Sequence, residues 1–114
     1  MKKLNKVVGD KGELLAQKYL KKQKYQIIEK NYRNKIGEID IIAKDKDSIV
    51  FVEVKTRETN SFGRPIVAVT LSKQNKIRGV ASYYLMTKGW SEQPCRFDVV
   101  EVLGEEINHI KNAF

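Results

Sequence analysis

The sequence predicts a single α/β domain, residues 1–114, in which helices flank a mixed central sheet. Two segments carry apolar residues at helical spacing. One covers residues 10–23, and the other begins after a capping Thr70 or Ser72 and ends at Gly89. Between them, GEIDIIAKDKDSIVFVEVKTR contains two β-rich runs separated by a short polar turn, which predicts a hairpin. Strands that pair through hairpins, with helices at their flanks, favour this fold class.

The elements are expected in the order α-β-β-β-α-β-β. A strand over Tyr25–Tyr32 follows the first helix, and the hairpin occupies residues 37–57. Residues 58–66, ETNSFGRPI, are rich in turn formers and predict a loop. After the second helix, CRFDVVEVL predicts a strand at 95–103, and a last strand is expected near Ile107–Lys111.

Composition excludes several classes of protein. One cysteine and one histidine cannot form an internal disulfide framework or a zinc site built from Cys and His alone. No glycine-rich P-loop is present, and nothing surrounds the lone His109 or Cys95 with the partners of a nucleophilic triad. No apolar run reaches membrane-spanning length and the start carries no signal region, so a cytoplasmic protein without a membrane partner is expected.

The charge balance points to a polyanionic partner. The chain has 22 Lys and Arg against 14 Asp and Glu, a net charge of +8 and a pI near 9.6. Nucleic acid is the commonest partner of such proteins, although lysine-rich composition also serves solubility alone. A glycosidase, which also uses two carboxylates, has no need of this charge.

The hairpin places charged residues among apolar ones. If its loop holds an even number of residues, as the common two- and four-residue loops do, Asp40 lies opposite Glu53 and Glu38 opposite Lys55. Directly opposed side chains have Cβ atoms about 5 Å apart, so the two carboxylates would repel one another. An odd loop would instead put Asp40 and Glu53 on opposite faces of the sheet.

A divalent ion would resolve this repulsion, because Mg²⁺ and Mn²⁺ prefer hard oxygen ligands at such a spacing. Lys55, on the same strand face, would contact a phosphate or orient an attacking water, which suits phosphodiester hydrolysis. The alternative is an ordinary Glu38–Lys55 ion pair with Asp40 and Glu53 simply solvated. Glu13 borders the apolar stripe of the first helix instead of opposing it, which favours convergence on the same place.

The chain also resembles a known group of nucleases. An Asp followed after 12 residues by E-x-K, on a hairpin behind a helix that carries a Glu, resembles the PD-(D/E)xK superfamily. More narrowly, GEIDIIA, FVEVKTR, the KQ pair of the second helix, RFDVV and the terminal AF resemble the YraN-type family of predicted endonucleases, which is similar to archaeal Holliday junction resolvases. The proline of the superfamily motif is absent, since Ile39 precedes Asp40.

The resemblance implies a restriction-endonuclease-like fold and a site with defined roles. Asp40 and Glu53 would bind Mg²⁺ or Mn²⁺, with no small-molecule cofactor, and Lys55 would assist the attacking water. Glu13 would be a further ligand, and the carbonyl of Val54 would complete the metal shell. The role of Glu38 is left open.

The resemblance also implies that DNA is the substrate. Gln74, Lys73 and Arg57 would face it, although each has the alternative of being solvated. Branched or flapped structures and a homodimer are expected by analogy with the resolvases. Asp98 is expected to be structural, bonded to Arg96 or to a backbone amide. The second function kept open is a nucleic-acid-binding module with the same fold and no catalysis.

Overall fold

The computed structural model describes the backbone of residues 2–57 and 69–114 and the side chains of residues 11–57 and 69–114. The elements are α1 (Lys2–Lys22), β1 (Gln26–Arg33), β2 (Glu38–Asp45), β3 (Ser48–Arg57), α2 (Leu71–Lys88), β4 (Cys95–Leu103) and β5 (Glu106–Ile110). The predicted order is confirmed, although α1 begins eight residues earlier than expected, at Lys2 and not at residue 10. The predicted loop at 58–66 lies outside the described residues.

The five strands form one sheet in the order β1-β2-β3-β4-β5. All neighbouring pairs are antiparallel except β3 and β4, which run parallel, so the sheet is mixed as predicted. Parallel neighbours need a crossover connection, and α2 lies in the one that joins β3 to β4.

Each helix covers one face of the sheet. Ala16 and Leu20 of α1 share a buried cluster with Val50 and Val52, while Tyr84 of α2 belongs to a second cluster on the opposite face. The second cluster also contains the other buried residues of α2, which are Ile77, Val80, Ala81 and Leu85. A sheet with buried side chains on both faces explains why β3 is apolar over most of its length.

The ends of α2 follow from its sequence. Thr70 is the N-cap, and its hydroxyl accepts a hydrogen bond of 3.1 Å from the backbone N–H of Lys73. Gly89 ends the helix in the left-handed conformation, with φ of 73°, which glycine adopts without a steric penalty. The cap fixes the first turn of α2, which carries Lys73 and Gln74.

A buried polar network joins β4 to β5. Asp98 is fully buried and accepts hydrogen bonds from Arg96 and from the backbone N–H of Asn112, which confirms its predicted structural role. His109 Nε2 lies 2.7 Å from the Asp98 carboxylate, and its Nδ1 lies 3.0 Å from the Tyr19 hydroxyl. Burial alone would raise the pKa of Asp98, but these hydrogen bonds lower it below its ordinary value.

Neither described helix combines the length and the apolar character needed to cross a membrane.

Candidate metal and nucleic-acid site

The hairpin has the even register that the sequence predicted. Its pairs run from Asp45–Ser48 to Ile41–Val52, and the turn between the strands holds two residues. Phe51 belongs to the cluster under α2, whereas Val52 belongs to the cluster under α1. The predicted division of β3 into two faces is therefore confirmed.

Strand β2 leaves its regular path at Asp40. The pairing of β2 with β3 ends at Ile41–Val52. Strict alternation would put Ile39 and Ile41 on one face, but Ile39 packs in the cluster under α2 and Ile41 in the cluster under α1. Asp40 lies at this change of side, where the two strands separate.

The Asp40 side chain takes the place of the missing ladder bond. Its Oδ2 accepts a hydrogen bond of 2.8 Å from the backbone N–H of Val54. Among the described residues, no donor is bonded to its other carboxylate oxygen. One oxygen of Asp40 is thus fixed by β3, and the other can face a ligand.

Other carboxylates surround Asp40. Its pKa is raised from 3.8 to about 7, chiefly because the group is buried and next because Glu53 lies nearby. The hydrogen bond from Val54 opposes this rise, while Glu13 and Glu38 add to it. The predicted direct pairing of Asp40 with Glu53 is not formed, because the ladder ends at Ile41–Val52. Asp40, Glu53 and Glu13 nevertheless lie close enough to interact electrostatically.

The positive charges that balance the carboxylates of this site lie next to Glu53. Its side chain is 10% exposed, and both Lys55 Nζ and Lys73 Nζ lie 3.7 Å from its Oε2. Lys55 comes from the same face of β3, two residues along, whereas Lys73 comes from the first turn of α2. Two ammonium groups thus converge on the carboxylate that repels Asp40.

A close contact brings α1 to the site. Gly12 packs against Thr56 of β3 so tightly that a Cβ atom on Gly12 would lie 2.1 Å from Thr56 Oγ1. Only a residue without a side chain permits this approach. Glu13 follows directly and is half-buried. The glycine therefore sets the distance between the Glu13 carboxylate and the strands.

Glu38 does not pair with Lys55, contrary to the alternative considered from the sequence. Because the strands separate at Asp40, Glu38 is not paired with β3. It pairs with β1, where its carboxylate lies 3.4 Å from Arg33. Lys55 is left to contact Glu53. The simple cross-strand ion pair is thus replaced by a pair within β3.

Two of the residues predicted to face DNA are engaged within the protein. The guanidinium of Arg57 forms an ion pair with Glu101 on β4. The Gln74 amide donates a hydrogen bond of 2.8 Å to the carbonyl of Val69. Lys73, with its side chain 45% exposed, remains the most accessible of the three.

A metal would have to be held by few protein ligands. In the described ranges, no group of three or more His, Cys, Asp and Glu side chains is arranged to hold a metal ion. Mg²⁺ is commonly bound through one or two carboxylates, with water and substrate phosphate as the other ligands. Asp40 and Glu53 supply two carboxylates of the required chemistry, and the backbone of Val54 contacts Asp40 through its N–H.

Comparison with known proteins gives the family. The model of the uncharacterised protein family UPF0102 matches residues 12–102. A UPF0102 protein of Clostridioides difficile (strain 630) is 54% identical over 112 residues, covering 96% of this chain and 98% of that protein. The chain belongs to the UPF0102 family. A UPF0102 protein of Caldanaerobacter subterraneus subsp. tengcongensis is 48% identical over 122 residues, covering all of both chains. One of Alkaliphilus oremlandii is 50% identical over 117 residues, covering 97% of this chain and all of its own.

The region matched by the UPF0102 model contains every candidate residue named above, from Glu13 to Gln74. The resemblance to the YraN-type family is confirmed at this level. Sequence reasoning did not predict that Gln17, Lys30 and Asn31 line a cavity beside Glu13. Only Gln17 gave a signal, because it is a polar residue next to the apolar stripe of α1.

Proposed function

We propose that this UPF0102 protein is a metal-dependent endonuclease that hydrolyses DNA phosphodiester bonds. The observation that carries the proposal is the approach of the half-buried Asp40 and the buried Glu53, beside Lys55, at the point where β2 separates from β3. Two carboxylates held close together destabilise the fold by repulsion. A protein that keeps such a pair is expected to use it for a function. The surrounding net charge of +8 suits a polyanionic substrate.

Asp40 and Glu53 would hold Mg²⁺ or Mn²⁺, with the Val54 carbonyl and Glu13 as further oxygen donors. When bound, such an ion supplies an activated water and offsets negative charge on the phosphate. The arrangement matches the resemblance to PD-(D/E)xK nucleases, in which residues at these positions bind the metal.

The remaining side chains position substrate and water. Lys55, fixed on β3, is placed to donate a hydrogen bond to an attacking water or to a phosphate oxygen. Lys73, at the start of α2 and 3.7 Å from Glu53, would contact the phosphate from the helix. Both ammonium groups would exchange part of their contact with Glu53 for contact with substrate.

A second function, a nucleic-acid-binding module without catalysis, has its own supporting observation. Two lysines already offset the charge of Glu53, and the described residues include no group of three acidic, His or Cys side chains arranged for a metal. A protein that only binds phosphates could use Lys55 and Lys73 with Glu53 as their structural partner.

A cleavage panel distinguishes the two functions. Four-way junctions, flaps, single strands and plain duplex are incubated with Mg²⁺ and, separately, with Mn²⁺, and a parallel arm contains EDTA. The nuclease proposal expects cutting of at least one substrate and no cutting with EDTA. The preferred substrate also tests the expectation of a homodimer, since a junction needs two symmetric cuts.

Binding measured on the same panel completes the test. Affinity should fall steeply with salt, because a basic surface binds DNA largely by releasing counterions. Salt-sensitive binding with no cutting of any substrate would favour the binding module. Cutting that resists EDTA would contradict the metal mechanism.

A further inference from the structure

A cavity opens directly beside the candidate site, between α1 and β1. Its volume is about 360 Å³, and its walls are formed by Glu13, Leu14, Gln17, Lys30 and Asn31. Ligand pockets in proteins are typically about 300–1,000 Å³, so this cavity has the size of a site for one small ligand.

Gln17 presents a polar group to the cavity from a largely buried residue. The residue is only 8% exposed, and none of the described residues is hydrogen-bonded to its side-chain amide. The amide is not among the enclosed polar atoms that lack a partner, so it meets solvent where it lines the cavity. An amide held on a largely buried residue and facing a cavity can exchange water for a ligand. It offers two donors and one acceptor at once.

Both walls of the cavity lie close to the carboxylates of the candidate site. On the β1 side, Asn31 lies between the paired residues Lys30–Ile41 and Tyr32–Ile39, which places it across from Asp40 on the neighbouring strand. On the α1 side, Glu13 lines the cavity and also raises the pKa of Asp40. A ligand in the cavity would therefore lie one strand away from the phosphate to be cut.

We propose that this cavity binds one unpaired nucleobase of the DNA strand, next to the phosphate held at Asp40 and Glu53. The inference rests on the proposed function and names its substrate class as DNA with unpaired nucleotides. The amides of Gln17 and Asn31 match the alternating donors and acceptors of a base edge. Leu14, which is 57% exposed, offers an apolar contact, and Lys30 a cation for the adjoining phosphate.

A base can enter such a cavity only when it is free of its partner. In a duplex, both unstacking and unpairing must occur first, whereas a single strand, a flap or a branch point supplies the unpaired base at little cost. The cavity would thus favour these structures over plain duplex without recognising a particular sequence.

The test compares the affinities for single-stranded and blunt duplex DNA by fluorescence anisotropy. All proteins carry Glu53→Gln, so that binding is measured without cutting. Gln17→Leu keeps most of the side-chain volume and removes the amide. It should weaken single-strand binding by about three- to tenfold, the effect of one lost hydrogen bond, and leave duplex binding unchanged. Gln93→Leu, which makes the same change at an exposed turn position, should alter neither affinity.

A second variant keeps the proposal testable if Gln17→Leu does not fold. Asn31 has φ of 52°, a conformation that glycine adopts freely, so Asn31→Gly removes the other amide without backbone strain. It should weaken single-strand binding selectively in the same way. Thermal melting shows which variants are folded.

Equal loss of single-strand and duplex affinity in the folded variants, or no loss in either, would overturn the proposal. Selective loss would support it whether or not the wild-type protein cuts DNA. Failure of the nuclease proposal would appear separately, as an absence of cutting by the wild type with the base site still present.

Discussion

The Oδ2 atom of Asp40 accepts a hydrogen bond of 2.8 Å from the backbone N–H of Val54, at the place where the pairing of β2 with β3 stops. The side chain of one strand satisfies a backbone donor of the other, so the strands can separate without leaving a buried N–H unpaired. The gap holds two carboxylates and, beside them, two lysines. The catalytic proposal depends on this local irregularity of the hairpin.

Replacing Asp40 by Asn should stabilise the fold. The amide oxygen can still accept the Val54 hydrogen bond, while the repulsion from Glu53, Glu13 and Glu38 disappears. At pH 8 we expect a gain of about 1–3 kcal/mol in the free energy of unfolding. The melting temperature should rise by roughly 4–12 °C. Asp47→Asn, in the exposed hairpin turn, is the control, and an unchanged or lower melting temperature for Asp40→Asn would contradict the prediction.

The stability of the fold should fall as the pH rises, because the pKa of Asp40 is raised in the folded state. The pKa of this group is raised from 3.8 to about 7, so the folded state holds its proton more tightly than the unfolded state. Its stabilising contribution is fully present below about pH 4 and is lost as the pH rises through 7. Urea unfolding from pH 5 to pH 9, with EDTA present, should show this decline in the wild type and not in Asp40→Asn.

The pKa shift of Asp98 has the opposite sign to that of Asp40, and it affects stability over a different pH range. Its pKa is lowered, so its contribution is present above the ordinary value of 3.8 and is lost only as the pH falls below that value. The Asp98 carboxyl group itself therefore adds no slope between pH 5 and pH 9. A decline of the same size in both the wild type and Asp40→Asn would contradict the assignment to Asp40.

The close contact of Gly12 with Thr56 should control the position of Glu13. A Cβ atom at Gly12 would lie 2.1 Å from Thr56 Oγ1, so Gly12→Ala must displace α1 or the threonine. We expect a loss of about 1–3 kcal/mol in stability, the usual cost of overpacking, and reduced cleavage. Combining it with Thr56→Ala, which removes the hydroxyl, should restore most of the stability. A double variant no more stable than Gly12→Ala would refute the role of this contact.

The two lysines at Glu53 should differ in function although both lie at 3.7 Å from the same oxygen. Lys55 is fixed on β3, so Lys55→Met should lower kcat by at least about 100-fold, as expected for a group that assists proton transfer or charge stabilisation. Lys73→Met should mainly raise KM, by about three- to tenfold, because one surface phosphate contact is lost. Single-turnover kinetics with saturating enzyme separates the two effects, and equal losses of kcat would contradict the distinction.

The sequence predicted the features of this site that depend on local pattern. The two-residue turn predicted the pairing of the hairpin from Asp45–Ser48 to Ile41–Val52, and strict alternation within β3 predicted the shared face of Glu53 and Lys55. Thr70 and Gly89 gave the ends of α2 because capping is a property of a few neighbouring residues.

Other features depend on contacts between distant segments, and no local pattern contains them. The change of side between Ile39 and Ile41 arises only when both helices pack on the sheet. The same holds for the pairing of Glu38 with Arg33 and for the bond between His109 and Asp98. The cavity at Gln17 requires α1 and β1 to be placed together, which alternation and helical period do not determine.

The most direct test of the carboxylate site is the rate of DNA cleavage by three proteins purified in parallel, with Mg²⁺ and with Mn²⁺. These are the wild type, Glu53→Gln and Glu92→Gln, the last being the same change at an exposed position outside the site. We expect the wild type and Glu92→Gln to cut at equal rates and Glu53→Gln to fall by at least about 1,000-fold while keeping its fold and DNA affinity. Cleavage by Glu53→Gln at the wild-type rate would contradict the assignment of the site.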